Sequence, residues 1–115
     1  MTYVRAAFVH EAELQLHKGT DPAEVGAAVT TALCGHWEHE GPCRWPHNND
    51  IELSDRVANF RTLFVAPSTE EDDVRERIER SLREGVGWAV LRTRSRPLSP
   101  PEEPLARRLA ATPST

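Results

Sequence analysis

The chain has 115 residues, 38% hydrophobic and 28% charged, and a formal charge of −4 at pH 7, a composition that suits one compact domain and argues against full disorder. The acidic excess disfavours a nucleic-acid or acidic-membrane binder, because both partners require a dense positive field. No segment approaches the ~20 apolar residues that span a bilayer, and the beginning of the chain lacks a signal-peptide core. We therefore expect a soluble, cytoplasmic protein with no membrane partner.

The first strand is predicted from its composition, and the first helix from its capping residues and apolar spacing. Val, Phe and Tyr are frequent in residues 3–10, which is typical of a β-strand. Asp21 and Pro22 then indicate a helix start, because aspartate accepts hydrogen bonds from free amide groups and proline suits the first helical position. Apolar residues at helical spacing continue to Leu33, and Gly35 is the expected end of this helix.

A hairpin and a second helix follow. Alternating apolar residues predict the hairpin over residues 51–66, with its turn at 54–56. Ser68 and Glu71 then have the spacing of a reciprocal helix cap, and acidic residues fill the first turn, where the helix dipole favours them. The second helix is expected to end at Gly85.

The order strand, helix, strand, strand, helix, strand predicts an α+β fold of the ferredoxin-like split βαβ type (βαββαβ). This fold is a two-layer sandwich, an antiparallel four-stranded sheet with two helices on one face. Right-handed crossovers place the first and third strands in the centre, so the last strand, residues 86–94, lies at an edge. We expect one domain over residues 1–96. Residues 97–115 contain five prolines, which predicts a flexible C-terminal tail with at most one short helix at 105–110.

The second face of the predicted sheet has no helix to cover it. An uncovered face favours a homodimer through that surface, or a small-molecule ligand bound there. Tyr3, Phe60 and Trp88 are the large aromatic side chains that we expect such a dimer to bury.

Three arginines alternate along the last strand and therefore share one side of it: Arg92, Arg94 and Arg96. Charged side chains on an edge strand discourage aggregation through that edge, and this is the preferred interpretation. The alternative is an anion site formed together with Arg5.

The clearest compositional feature is a group of metal-binding residue types in the connection after the first helix. Both cysteines and three of the five histidines lie within 14 residues, with the spacing C-x-H-x2-H-x3-C-x3-H: Cys34, His36, His39, Cys43 and His47. Thiolates and imidazoles are the usual ligands of zinc. If the helix continues, Cys34 points away from His36, so the favoured ligand set is the three histidines and Cys43, with Cys34 as the fifth candidate.

Other interpretations of this segment stay open. In one, the histidines and cysteines simply pack within the loop; in another, Cys34 and Cys43 form a disulfide. The histidines are also candidates for proton transfer in a pocket walled by Trp37 and Trp45, with the following asparagines orienting a ligand. The hypotheses are, in order, a zinc-binding domain, a metal-free dimeric enzyme or small-ligand binder, and an interaction module without chemistry.

Overall fold

The structure is a computed structural model that describes residues 5–34 and 44–111. Its elements in chain order are β1 (Arg5–Leu16), α1 (Ala23–Cys34), β2 (His47–Ser54), β3 (Val57–Pro67), α2 (Glu71–Glu84), β4 (Trp88–Arg96) and α3 (Glu103–Ala110). Short 3-10 turns at Ser68–Glu70 and Pro100–Glu102 precede α2 and α3. Within the described ranges, every helix is too short or too polar to span a membrane.

The four strands form one antiparallel sheet in the order β2-β3-β1-β4. The α+β class and the antiparallel four-stranded sheet predicted from the sequence are therefore confirmed. The first and third strands lie in the centre, as the crossover rule predicts. The pairing of β1 with β4 shifts by one residue between Glu13 and Leu14, so that Leu91 has no partner in the register and is half exposed.

The main core lies between one face of the sheet, here called the inner face, and the helices α1 and α2. Each helix buries one stripe at helical spacing: Val25, Val29 and Leu33 from α1, and Val74, Ile78 and Leu82 from α2. Phe60 and Trp88 belong to this core. The expectation that these two aromatic residues cover the outer face is therefore wrong, and Tyr3 lies outside the described residues.

The two helix starts differ in how well the sequence predicted them. Asp21 caps α1 as expected, because its Oδ1 accepts a hydrogen bond from the Ala23 amide at 3.0 Å. The reciprocal cap of Ser68 and Glu71 does not form. Residues 68–70 make a 3-10 turn instead, and α2 begins only at Glu71.

The C-terminal segment departs most from the predicted fold. The short helix expected at 105–110 is present as α3, but the segment is not a flexible tail: residues 97–111 form a 3-10 turn and α3, which contacts β1 and β3 on the outer face of the sheet. The apolar stripe of this helix closes a second cluster in which Val9, Leu63 and Ala106 are buried. Since Val9 and Leu63 point away from the main core, they need this second cover. The packed unit extends beyond residue 96, and residues 112–115 lie outside the described residues.

Gly85 allows the end of α2 to approach the indole of Trp88. A Cβ atom at Gly85 would overlap that ring, whose Nε1 donates a hydrogen bond to the Leu82 carbonyl at 2.8 Å. We expect Gly85→Ala to lower the free energy of unfolding by about 2–4 kcal/mol, because the overpacked ring must shift and strain this hydrogen bond. Urea denaturation measures the change.

Gly26→Ala is the matched control, because a Cβ atom there meets only the side chain of Asn49, at 3.5 Å or more. Alanine also favours the interior of a helix over glycine, so we expect Gly26→Ala to leave stability unchanged or raise it by up to ~1 kcal/mol. Equal losses in the two variants would contradict the role assigned to Gly85.

Candidate functional site

The structure describes two of the five predicted metal ligands. Cys34 is the last residue of α1, and His47 is the first residue of β2. His36, His39 and Cys43 lie outside the described residues, so their arrangement stays a prediction. Within the described ranges, no group of three or more histidines, cysteines or carboxylates is placed to hold a metal ion.

Hydrogen bonds at both ring nitrogens orient His47. Its Nδ1 lies 3.0 Å from the carbonyl oxygen of Trp45, and its Nε2 lies 3.1 Å from Oγ1 of Thr30. A carbonyl oxygen only accepts, so Nδ1 carries a proton, and Nε2 of the neutral ring is the acceptor. Metal-binding histidines commonly use this arrangement, with one ring N–H held by a carbonyl and the other nitrogen facing the ion.

A chain of hydrogen bonds fixes the Thr30 hydroxyl that faces His47. Thr62 donates from Oγ1 to Oδ1 of Asn49 at 2.9 Å. The Asn49 amide nitrogen donates in turn to the Gly26 carbonyl and to Oγ1 of Thr30, both at 3.2 Å. Because Thr30 accepts from Asn49, its own proton is available for Nε2 of His47. Side chains from α1, β2 and β3 therefore hold the imidazole in place.

Cys34 lies on the same side of α1 as Thr30. The two residues are four apart, a spacing that places Cβ atoms about 5–6 Å from each other on one helix face. Because Thr30 contacts His47, the two described candidate ligands lie at the same junction of α1 and β2. Cys34 is disulfide-bonded, and the other half of the bond lies outside the described residues. In that form its sulfur is not a thiolate and does not bind zinc as one.

Trp45 joins this junction to the start of α2. Its side chain is 2% exposed, and Nε1 donates to Oε1 of Glu70 at 2.9 Å. The guanidinium groups of Arg44 and Arg77 lie over the indole, 4.5 and 5.1 Å from its centroid. Trp45 is thus part of the main core. Trp37, the other aromatic residue of the alternative pocket, lies outside the described residues.

A pocket lies on the outer face of the sheet, the face on which the sequence led us to expect a second copy of the chain or a small-molecule ligand. It has a volume of about 480 Å³ and is lined by charged side chains of all four strands and of the 3-10 turn before α3. Its arginines have carboxylate partners: Arg92 with Glu13 at 3.1 Å, and both Arg94 and Arg96 with Glu11 at 2.6 Å. Because carboxylates already neutralise these arginines, the ion pairs favour a charged edge strand over an anion site.

An arginine–carboxylate pair closes one side of this pocket. Arg96 donates to both carboxylate oxygens of Glu102, at 2.7 and 2.9 Å. The hydrogen bond from Arg96 is the main cause that lowers the pKa of Glu102 to about 2, and Ser99 contributes two further hydrogen bonds. The pair ties the chain before α3 to β4. Arg5 binds the other end of α3 through the Ala110 carbonyl.

Comparisons with known proteins identify no relative of this chain. No protein-family model matches it, and no curated protein or solved structure is significantly similar to it. The class is therefore defined by the structure alone, as a small α+β domain with an open four-stranded antiparallel sheet. A fold alone does not define a function, so the functional information lies in the residues at the α1–β2 junction and on the outer face.

Proposed function

We propose that this protein is a zinc-binding α+β domain of ferredoxin-like arrangement, with the ion held in the connection between α1 and β2 when the cysteines are reduced. The proposed ligands are His36, His39, Cys43 and His47, with Cys34 as a further thiolate. The observation that carries the proposal is the geometry of His47. Its Nδ1–H is held by a backbone carbonyl, and Nε2 faces the side of α1 on which Cys34 lies.

The Thr30 hydroxyl that faces Nε2 of His47 can turn away to admit a zinc ion without leaving a buried donor unpaired. Thr30 is only partly buried, so its hydroxyl can donate to solvent when it turns away from Nε2. The ring of His47 keeps its orientation, because the Trp45 carbonyl holds Nδ1 from the other side. Preorganisation of this kind lowers the entropy lost on binding.

The disulfide of Cys34 makes the oxidation state part of the proposal. Zinc is bound by thiolates and neutral imidazoles, and a disulfide removes two sulfur ligands. Only three histidines of the predicted set would remain in the oxidised protein. We therefore expect reduced protein to bind zinc more tightly than oxidised protein.

The test measures zinc in protein purified without a histidine tag. Mass spectrometry of metals is expected to find one zinc per chain after reduction and reconstitution, and competition with a chromophoric chelator gives the affinity. His47→Ala should weaken binding of the reduced protein by about 100-fold or more, because loss of even an outer partner of a ligand costs 10–100-fold. His17→Ala is the matched control, since this exposed histidine follows β1 far from the junction in sequence.

Two results would overturn the zinc proposal. One is substoichiometric zinc in the reduced protein together with a melting temperature that a chelator does not change. The other is an equal affinity for zinc in the His47→Ala and His17→Ala variants, because the ion would then be bound elsewhere.

A second candidate function is the binding of a small polar molecule in the pocket on the outer face. The volume of about 480 Å³ falls within the range of small-molecule sites. The homodimer predicted from the sequence also remains a proposal for this face. Because α3 covers its apolar part, a second copy would have to dock on the charged side chains of β1 and β4. Sedimentation of the protein at low and high salt tests for such a dimer.

A further inference from the structure

His10 is a buried titratable residue on the inner face of β1, away from the proposed zinc site. It is 3% exposed and lies between Thr62 of β3 and Ser95 of β4 in the sheet register. Its Nδ1 lies 3.0 Å from Nη1 of Arg75, a residue of α2. The same Nη1 donates to the Val9 carbonyl at 2.8 Å. One arginine nitrogen therefore joins α2 to both the backbone and a side chain of β1.

Arg75 is itself held on several sides. Its Nε donates to Oε2 of Glu71 at 2.8 Å, and its guanidinium lies over the rings of Phe8 and Phe64, 5.9 and 5.4 Å from their centroids. The side chain is only 12% exposed. Because these partners come from β1, β3 and α2, Arg75 acts as the polar attachment of the first half of α2 to the sheet.

The contact with Arg75 requires a neutral imidazole. A guanidinium only donates, so Nδ1 of His10 must accept and the ring proton sits on Nε2. This nitrogen lies 3.5 Å from Oε1 of Glu79 and makes no well-formed hydrogen bond with the described residues. Oε1 of Glu79 accepts from Thr93 instead, at 2.5 Å, and that bond is the main cause that lowers the pKa of Glu79.

The charged groups near His10 come from one element. They are the α2 residues Arg75 and Glu79, with Glu71 and Arg83 paired to them. Beside His10 on the inner face, β3 and β4 present the neutral side chains of Thr62, Thr93 and Ser95, while Glu11, Arg61, Arg94 and Arg96 belong to the outer face. Burial is the largest cause that lowers the pKa of His10, the positive charge of Arg75 adds to it, and Glu79 opposes both.

We propose that His10 and Arg75 form a pH-sensitive clamp that holds the first half of α2 on the sheet and opens when His10 is protonated. A protonated ring carries a hydrogen on Nδ1, which would face the hydrogens of Arg75 Nη1. Two donors and two positive charges cannot share that contact at hydrogen-bond distance. Arg75 must then leave its place between β1 and the two phenylalanine rings. Glu79 can follow the new charge, since its carboxylate is already close to Nε2.

The direction of the pH effect follows from the lowered pKa of His10. The unfolded or detached state binds the proton more readily than the closed clamp does, because an exposed histidine titrates near 6.5. The stabilisation from the neutral contact is fully present above pH 6.5, and it is lost as the pH falls below that value towards the pKa of the closed state.

Hydrogen exchange followed by mass spectrometry tests the clamp in the full chain. After correction for the intrinsic exchange rate, we expect protection of the amides of residues 75–84 to fall by up to about tenfold between pH 7.5 and 5.5. Protection of α3, which packs on the other face, should not change. His10→Asn keeps an acceptor near the position of Nδ1 but does not titrate, so this pH dependence should disappear. His17→Asn, at an exposed position, should retain it.

A second variant and a spectrum keep the test decisive if His10→Asn does not fold. Glu79→Gln removes the charge that favours protonation of His10 in the closed clamp, so the loss of protection should begin at the same pH but continue to lower pH than in the wild type. Nitrogen-detected NMR of the wild-type histidines should show the proton of His10 on Nε2 at pH 7.5. A proton on Nδ1, protection of α2 that is independent of pH, or an equal loss in α3 would each overturn the clamp.

Discussion

Replacing Trp45 with alanine is expected to lower the free energy of unfolding by about 3–5 kcal/mol, the range for loss of a large buried aromatic side chain. The indole is buried in the main core, and the N–H bond to Glu70 joins the start of β2 to the start of α2. Alanine leaves a cavity under the two arginines that stack on the ring. Urea denaturation at pH 7 measures the loss.

Two controls separate the parts of this effect. Trp45→Phe keeps an aromatic ring but loses the N–H donor, and should cost about 1–2 kcal/mol. Leu91→Ala removes a half-exposed apolar side chain of β4 and should cost less than ~1 kcal/mol. If Trp45→Ala costs no more than Leu91→Ala, the chain before β2 does not belong to the core in solution.

Trp45→Ala also connects stability with the proposed zinc site. The carbonyl of Trp45 holds Nδ1 of His47, and loss of the indole frees that backbone to move. Loss of such a positioning contact typically weakens metal binding by 10–100-fold. We expect a weakening in this range for reduced Trp45→Ala and almost none for reduced Leu91→Ala, measured by chelator competition.

Most elements of the main core were predictable because their sequence signals are local. Capping residues and a helical stripe identified α1, and alternation identified the hairpin of β2 and β3. The predicted first strand was too short, since the observed strand continues to Leu16. The missed part alternates Glu11, Glu13 and Gln15 with buried residues. These polar side chains face outwards, so they extend the strand although they lower its mean hydropathy.

The position of α3 was not predictable from composition, because prolines dominated the interpretation of the tail. A local signal was nevertheless present. Ser99 and Glu102 have capping-box spacing and form that box in the structure. The need for a cover over Val9 and Leu63 appears only once the register of β1 and β3 is known. A pairing between distant segments of the chain thus decides where this helix packs.

For the candidate sites, too, the sequence indicated single residues but not the tertiary contacts that they make. Clustering in the sequence identified His47 as a candidate ligand, but it did not predict the bonds to Thr30 and Asn49. Those bonds depend on how α1 lies over β2, which is a tertiary property. Alternation along a strand puts His10 on the same face as Phe8, and this polar residue within an apolar face was the available signal for a buried histidine. Its partner Arg75 lies 65 positions further on, beyond the reach of spacing arguments.

Removing residues 97–115 is the second change with a large expected effect. The truncation exposes Val9 and Leu63, both 0% exposed in the structure, and it removes the Glu102 partner of Arg96. Burial of each large apolar side chain contributes about 1.5–3 kcal/mol. We therefore expect the free energy of unfolding to fall by about 4–6 kcal/mol, which approaches the whole stability of a small domain. Urea denaturation of the truncated and complete chains measures the difference.

Two variants show whether the loss comes from packing by α3. Removal of residues 112–115 alone shortens the chain without touching α3 and should leave stability unchanged. Ala106→Asp places a carboxylate against Val9 and Leu63 and should reproduce a large part of the loss, because a charge buried without a partner is costly. Equal stability of all three variants and the parent chain would show that α3 does not hold the outer face in solution.

Size-exclusion chromatography of the truncated chain then examines the homodimer predicted from the sequence. That prediction assumed an uncovered sheet face, whereas α3 covers the apolar part of it. With residues 97–115 removed, Val9 and Leu63 form an exposed apolar strip across β1 and β3, and such a strip favours self-association. We expect the truncated chain to form larger species than the complete chain at the same concentration. In that case α3 takes the place on the sheet that a second copy would otherwise occupy.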